Sequence, residues 1–350
     1  MHIFAKIFLM TLIKSISGIR GTLGGVNGDN LTPLDIVKFA SAFGMWLKLK
    51  HKKSPKVVVG RDARISGPIV QSLVQSSLLS MGIDVIDVGL STTPTVEIAV
   101  PEERASGGII ITASHNPKEW NALKLLNSKG EFISANDGIE ILKIAEKGSF
   151  EYAKVDAIGF VEKKDYIDYH IDAILALPSV DTEIVKASKL KIVVDAVNSS
   201  GGICVPALLN KMGVDVVELY CEPNGYFPHN PEPLPEHLHD LCSKVVETSS
   251  DLGFVVDPDV DRLAIVSEDG TLFGEEYTLV AVADHVLKME KGSTVSNLSS
   301  TRALIDLSEK YGVNYYASSV GEVNVVEKMK QVGAVIGGEG NGGVIYPKFH

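Results

Sequence analysis

Three aspartates alternate in the stretch GFVVDPDVDRLAIVSEDG: Asp257, Asp259 and Asp261. Like charges this close repel. In extended backbone, positions i, i+2 and i+4 share one face, so the spacing predicts that the three carboxylates converge. Such a cluster needs a cation or must partly protonate. All-oxygen donors favour Mg²⁺, Mn²⁺ or Ca²⁺ over zinc. Mg²⁺ held by few protein oxygens keeps positions for water and phosphate. Arg262 follows at once, and its planar fork suits a phosphoryl group. An acidic surface turn has the same spacing, but the apolar LGFVV before it points to a buried strand leading into a site.

A second constellation lies in ITASHNPKEWNALKLL. Ser114 falls where the apolar strand GGIIITAS ends, at the edge where open α/β sheets bind ligands. His115, Asn116 and Pro117 form a rigid polar turn, and Lys124 is ten residues beyond Ser114. These types could supply a nucleophile with a base and a cation nearby. For the Ser-His pair alone, an ordinary ST-turn is the favoured reading. Arg20 sits among glycines in SISGIRGTLGG, where bare backbone can approach a phosphate. A flexible hairpin accounts for the same glycines. In GRDARISG, Ser66 is expected to cap the following helix. In GGEGNGG, Glu339 and Asn341 are hydrogen-bonding side chains on a bare loop, suited to a hydroxylated ligand. SSVGE, with Gly321, is another strand-end loop expected at the same cleft, while FGEEY opens a helix whose acids suit its dipole.

The elements that must position these groups share one pattern. The stretches beginning KVVVGRDARISG at Lys56, KIVVDAVNSSGG at Lys191 and STVSNLSSTR at Ser293 each read as strand, polar loop, helix and strand. The pattern predicts three tandem similar α/β domains with mixed, mostly parallel sheets. Helical periodicity covers Pro33–Lys50, Pro68–Met81, Glu276–Glu290 and Thr301–Tyr311. The proline-rich EPNGYFPHNPEPLPEH reads as a loop. The expected domains are 10–160 with the serine loop, 161–268 with the metal loop and 269–350 with the sugar loop. The last is expected to be incomplete, since the chain stops just after a strand and a glycine-rich loop.

The chain has 350 residues, 45% of them hydrophobic, enough for several cores. A net charge of −11 speaks against nucleic acid as a partner. Three cysteines without ligand spacing read as reduced thiols of a cytoplasmic protein. The opening MHIFAKIFLM is too short to span a membrane and lacks a signal-peptide pattern, and Met10 offers a second start. Membrane association is not expected, and association with further copies of the chain is left open.

TASHNP, DPDVDR and GEGNGG, in that order, together with GIRGT and GRDARISG, resemble the α-D-phosphohexomutase superfamily. The resemblance runs from Met10 to His350. It implies an isomerase in which Ser114 is phosphorylated and carries the phosphoryl group, with Ser114, Asp257, Asp259 and Asp261 binding Mg²⁺. It implies that Arg20 and Lys124 assist proton transfer or stabilise the transferring group, and that His115 and Arg262 line the site. Glu339 would hold sugar hydroxyls, with Asn341 and Gly321 beside it. The implied partners are a hexose or hexosamine phosphate and a sugar bisphosphate activator. The family's fourth domain, with its loop for the non-reacting phosphate, is not expected in this chain.

Two departures bear on substrate. Many members carry His where Gly343 stands, and a third-domain Lys of some members is lacking near NLSSTR. The wording most resembles the phosphoglucosamine mutase branch, which implies interconversion of glucosamine 6-phosphate and glucosamine 1-phosphate through a 1,6-bisphosphate. A phosphomannomutase/phosphoglucomutase, or an inactive sugar-phosphate-binding fragment, are the alternatives.

Overall fold

The computed structural model describes residues 10–15, 18–51 and 55–349. The nine residues before Met10, expected to be an extension, lie outside them, as do Ile16 and Ser17 of the Arg20 stretch. The residues group into two compact units, one within 10–89, 99–113 and 117–164, the other comprising Leu90–Ile98, Ser114–Asn116 and the chain from Asp165 on.

The first unit is built on one seven-stranded mixed sheet. Its strands are β1 (Ile13–Ser15), β2 (Gly18–Thr22), β3 (Lys56–Arg61), β4 (Asp84–Leu90), β5 (Gly107–Ile111), β6 (Trp120–Leu126) and β7 (Val161–Lys163). Their order is β1-β2-β6-β5-β3-β4-β7. β5 runs parallel to β3, whereas β6 is antiparallel to both β5 and β2. β3 and β5 are buried almost throughout, which explains their unbroken apolar runs. Helix α1 (Pro33–Lys50) spans the residues its periodicity predicts. Thr32 and Asp35 close a capping box at its start, with proline at the first helical position. Its Phe39, Phe43 and Leu47 pack into the core with Val57, Val59 and Ile109. Helices α2 (Gly67–Ser80), α3 (Thr93–Glu102) and α4 (Ala135–Lys147) follow in order. β7 pairs in parallel with β4, so this sheet extends to Lys163, beyond the expected boundary at 160.

Ser66 does not act as a cap. It occupies the cap position but has right-handed helical backbone, φ −76° and ψ −14°, rather than the extended backbone from which a side chain reaches the first turn. Its Oγ instead accepts a 2.9 Å hydrogen bond from Asn121 Nδ2.

The second unit holds two four-stranded sheets. Helices α5 (Ile167–Leu175) and α6 (Thr182–Ser188) lead into β8 (Lys191–Asp195), α7 (Gly201–Lys211), β9 (Asp215–Leu219), α8 (His239–Glu247), β10 (Leu252–Val256) and β11 (Leu263–Ser267). The sheet order is β11-β10-β8-β9, parallel except for the edge strand β11. The second sheet follows with α9 (Glu275–Met289), β12 (Thr294–Asn297), α10 (Ala303–Tyr311), β13 (Tyr315–Ser318), α11 (Glu322–Val332), β14 (Ile336–Gly338) and β15 (Val344–Ile345). Its order is β13-β12-β14-β15, again with one antiparallel edge strand. Three α/β sheets in series, each mixed, are thus the architecture the strand-loop-helix pattern predicts. Cys204, Cys221 and Cys242 are free thiols, and burial pushes the first two up to about 12. Among the described residues no helix is long and apolar enough to cross a membrane.

Candidate active site

The aspartates converge, but not along a strand. β10 stops at Val256, and the chain turns. The Val260 N–H donates to the Asp257 carbonyl, 3.1 Å, with Val260 at φ 62°. A turn curls the three side chains inward where an extended run would have aligned them. Candidate ligand atoms of Asp257, Asp259 and Asp261 lie within 4.8 Å of one another. Asp257 and Asp259 are fully buried. Asp257 Oδ1 accepts from the main-chain N–H groups of Asp261 and Arg262, 3.2 and 3.3 Å. Burial, then the charges of Asp261 and Asp259, push the Asp257 carboxyl well above the usual range, against the pull of Arg262 and Ser114. A cation would relieve this, and the all-oxygen donors fit a hard divalent ion.

Ser114 belongs to this same unit. Its Oγ donates to Asp257 Oδ2 at 2.6 Å. β5 ends at Ile111, before the expected end of the strand, and Ser114 takes left-handed backbone, φ 48°. That conformation costs a non-glycine residue about 1–2 kcal/mol. His115 Nδ1 is 3.3 Å from Ser114 Oγ, so serine, histidine and aspartate meet here.

The residues just before and after this turn are fixed by a buried pair that sequence inspection did not single out. Arg64 Nε donates to Asp62 Oδ2 at 3.0 Å, with both side chains fully buried. Thr112 Oγ1 donates to the same carboxylate oxygen at 2.7 Å. Arg64 Nη1 donates to the carbonyls of Pro117 and Trp120, 2.7 and 3.1 Å. GRDARISG therefore contributes a brace that holds Thr112, Pro117 and Trp120 rather than a helix cap. The signal was present as two opposite charges two residues apart behind an apolar strand.

Arg20 and Lys124 lie in the first unit on neighbouring strands. Gly18 pairs with Lys124 and Arg20 with Ala122, so the two cations are diagonal on one face of the sheet. Arg20 is exposed, and Lys124 Nζ stands 5.7 Å from the centre of the Phe132 ring.

Glu339, Asn341 and Gly321 come together. Glu339 Oε1 accepts from Gly321 N at 3.0 Å and Oε2 from Asn341 Nδ2 at 3.3 Å. Buried Asn297, which sequence reading passed over, donates to Oε1 at 2.6 Å and takes the Ser299 and Ser300 hydroxyls on its own oxygen. This loop adjoins the metal loop: Leu263 N donates to the Gly342 carbonyl, 3.2 Å. A Cβ on Gly343, where many family members carry His, would start 3.7 Å from the Asp261 carbonyl.

The proline-rich loop also reaches the site. Glu232 Oε1 lies 3.9 Å from His115 Nε2 and 4.0 Å from Arg262 Nη1. His229 anchors that loop, its Nε2 2.9 Å from Asp195 Oδ2 and its Nδ1 2.8 Å from the Asn230 carbonyl. Two acceptors on one ring require a proton on each nitrogen.

Residues 13–152, 166–270 and 274–350 match domains I, II and III, respectively, of the family described as phosphoglucomutase/phosphomannomutase, alpha/beta/alpha. A Thermococcus kodakarensis protein named phosphoglucomutase/phosphomannomutase is 37% identical, over 94% of this chain and 73% of its own length. A Methanopyrus kandleri protein named "probable phosphoglucosamine mutase" is 35% identical, over 95% of this chain and 71% of its own. Among solved structures, a phosphoglucomutase/phosphomannomutase family protein from Burkholderia thailandensis matches with TM-score 0.82 at 27% identity, covering 98% of this chain and 73% of that one.

Proposed function

This chain belongs to the phosphoglucomutase/phosphomannomutase family of phosphohexomutases, and we propose that it interconverts glucosamine 6-phosphate and glucosamine 1-phosphate by way of phospho-Ser114. The observation that carries this reading is the 2.6 Å bond from Ser114 Oγ to Asp257, within a trio of acids of which Asp257 and Asp259 are buried and Asp261 is half-buried. A nucleophile strained into that position has chemistry to do there.

In the proposed cycle a sugar hydroxyl attacks phospho-Ser114. The bond from phosphorus to the serine oxygen breaks, and one to the sugar oxygen forms. In net terms the proton lost by the sugar hydroxyl passes to the Ser114 oxygen. His115 Nδ1, 3.3 Å from the serine oxygen, is placed to deliver it. The bisphosphate then turns over, and Ser114 takes back the other phosphoryl group. Arg262 holds phosphoryl oxygens. Glu339, pinned by three donors, accepts from sugar hydroxyls, with Asn341 and the Gly321 backbone beside it. Asp257, Asp259 and Asp261, with the serine oxygen, would hold Mg²⁺, which supplies neutralisation of charge on the transferring oxygens.

The naming of the Methanopyrus relative supports glucosamine phosphate. The Thermococcus relative's name favours a second reading, mannose and glucose phosphates as substrates. A coupled assay with Mg²⁺ and glucose 1,6-bisphosphate separates them. Turnover highest on glucosamine 6-phosphate supports the first, and preference for mannose 1-phosphate or glucose 1-phosphate supports the second. Binding of all three without turnover would make the chain a sugar-phosphate-binding fragment.

A further inference from the structure

The metal loop is held by a residue far from it in sequence. Thr93 opens α3 within the segment Leu90–Ile98, which belongs to the second unit. Its hydroxyl donates to Asp259 Oδ2 at 2.6 Å, and its main-chain N–H donates to the Asp259 carbonyl at 2.8 Å. Thr93 is 1% exposed and Asp259 0%, so water does not compete for these bonds. The residue before it, Thr92, is held in turn. Thr92 Oγ1 accepts from Thr95 N at 3.1 Å and lies 2.7 Å from Thr95 Oγ1, which in turn is 2.8 Å from His170 Nδ1.

We propose that Thr93 is a positioning residue for the divalent-cation site, fixing both the backbone and the carboxylate orientation of Asp259. The proposal rests on Asp257, Asp259 and Asp261 being that site. The amide bond sets where the Asp259 main chain lies, and the hydroxyl bond sets how its carboxylate is turned. A β-branched side chain has few χ1 choices, so the hydroxyl is presented in one direction. Partners of this kind orient metal-binding carboxylates and tune their affinity.

Phosphorylation makes Thr93 more important. Among the described residues, the acid trio receives one 2.6 Å hydroxyl bond from Ser114 and one from Thr93. Once its oxygen is esterified, Ser114 has no proton to donate to Asp257. The Thr93 bond is untouched by that change and continues to orient Asp259 in the phosphorylated chain.

The test is calorimetric titration of MgCl₂ into the unsubstituted chain and into Thr93→Val, Thr93→Ala and Thr93→Ser, each checked for folding by thermal melting. The expected result is Mg²⁺ affinity about 10–100-fold weaker in Thr93→Val and Thr93→Ala. Thr93→Ser, which keeps the hydroxyl, should bind nearly as the unsubstituted chain does. Unchanged affinity in the folded Val or Ala variant overturns the proposal. So does a Ser variant as weak as Val, since the hydroxyl would then not be the agent. The readout is cation binding. Thr93-dependent Mg²⁺ binding in a chain that turns over no sugar phosphate would therefore keep this inference and remove the mutase reading.

Discussion

Ser114 and Asp257 lie 143 residues apart in sequence and share a 2.6 Å hydrogen bond. The serine is strained into left-handed backbone, and the carboxylate is fully buried among like charges. Neither state is favourable alone. Together they put a hydroxyl beside an acid trio able to hold a divalent cation, and the proposed chemistry starts there.

Asp259→Ala removes one of the three carboxylates. Mg²⁺ affinity, measured by calorimetry, should fall at least about 10–100-fold, the range found when even the partners of metal ligands are lost. The rate of sugar-phosphate turnover at fixed Mg²⁺ should fall with it. Unchanged affinity would count against the metal assignment.

Asp62→Ala leaves the Arg64 guanidinium buried without its carboxylate. Breaking a buried pair in this way costs about 3–5 kcal/mol. Urea denaturation should show a loss of that order. Because Arg64 also holds the Pro117 and Trp120 carbonyls, turnover should drop even in molecules that remain folded.

Gly342 has φ +88°, and a Cβ there would meet the Leu263 carbonyl oxygen at 2.5 Å. Backbone cannot yield as the end of a side chain can. Gly342→Ala should cost about 1–3 kcal/mol, the range for a strained backbone position, read as a lowered urea midpoint. Since the contact joins the Glu339 loop to the metal loop, KM for sugar phosphate should rise as well.

His229 carries the pH dependence. Burial alone would lower its pKa, but the hydrogen bond and charge of Asp195 outweigh burial and raise it above 6.5, with help from the Asn230 carbonyl and Asp240. The charged groups around the ring are Asp195 and Asp240, and Tyr220 packs edge-on to it. A raised histidine stabilises the fold fully below its unfolded pKa, and the contribution is lost as pH rises through the folded value. The stability lost in His229→Gln should therefore be greatest near pH 6 and shrink towards alkaline pH, about the unperturbed histidine range and above. A pH-independent difference in urea titrations would contradict the protonated pair.

What could be read from sequence was local. Strand and helix periodicities, TASHNP and the three aspartates name their own residues, and Glu339 with Asn341 and Gly321 is legible for the same reason. The extended reading of Asp257 to Asp261 failed because Val260 takes positive φ, which its side chain disfavours and a one-strand pattern does not anticipate. Thr93, Asn297 and the Asp62–Arg64 pair were missed because their roles lie in partners far along the chain or in main-chain carbonyls. Such partners leave no spacing to read, apart from the two-residue gap between Asp62 and Arg64.

The most direct measurement is phosphosite mapping of the intact chain after incubation with Mg²⁺ and glucose 1,6-bisphosphate. A single phosphoryl group on Ser114, lost in Ser114→Ala together with mutase turnover, is the predicted result. Turnover that continues in Ser114→Ala, or a phosphoryl group found only on another residue, would contradict Ser114 as the carrier.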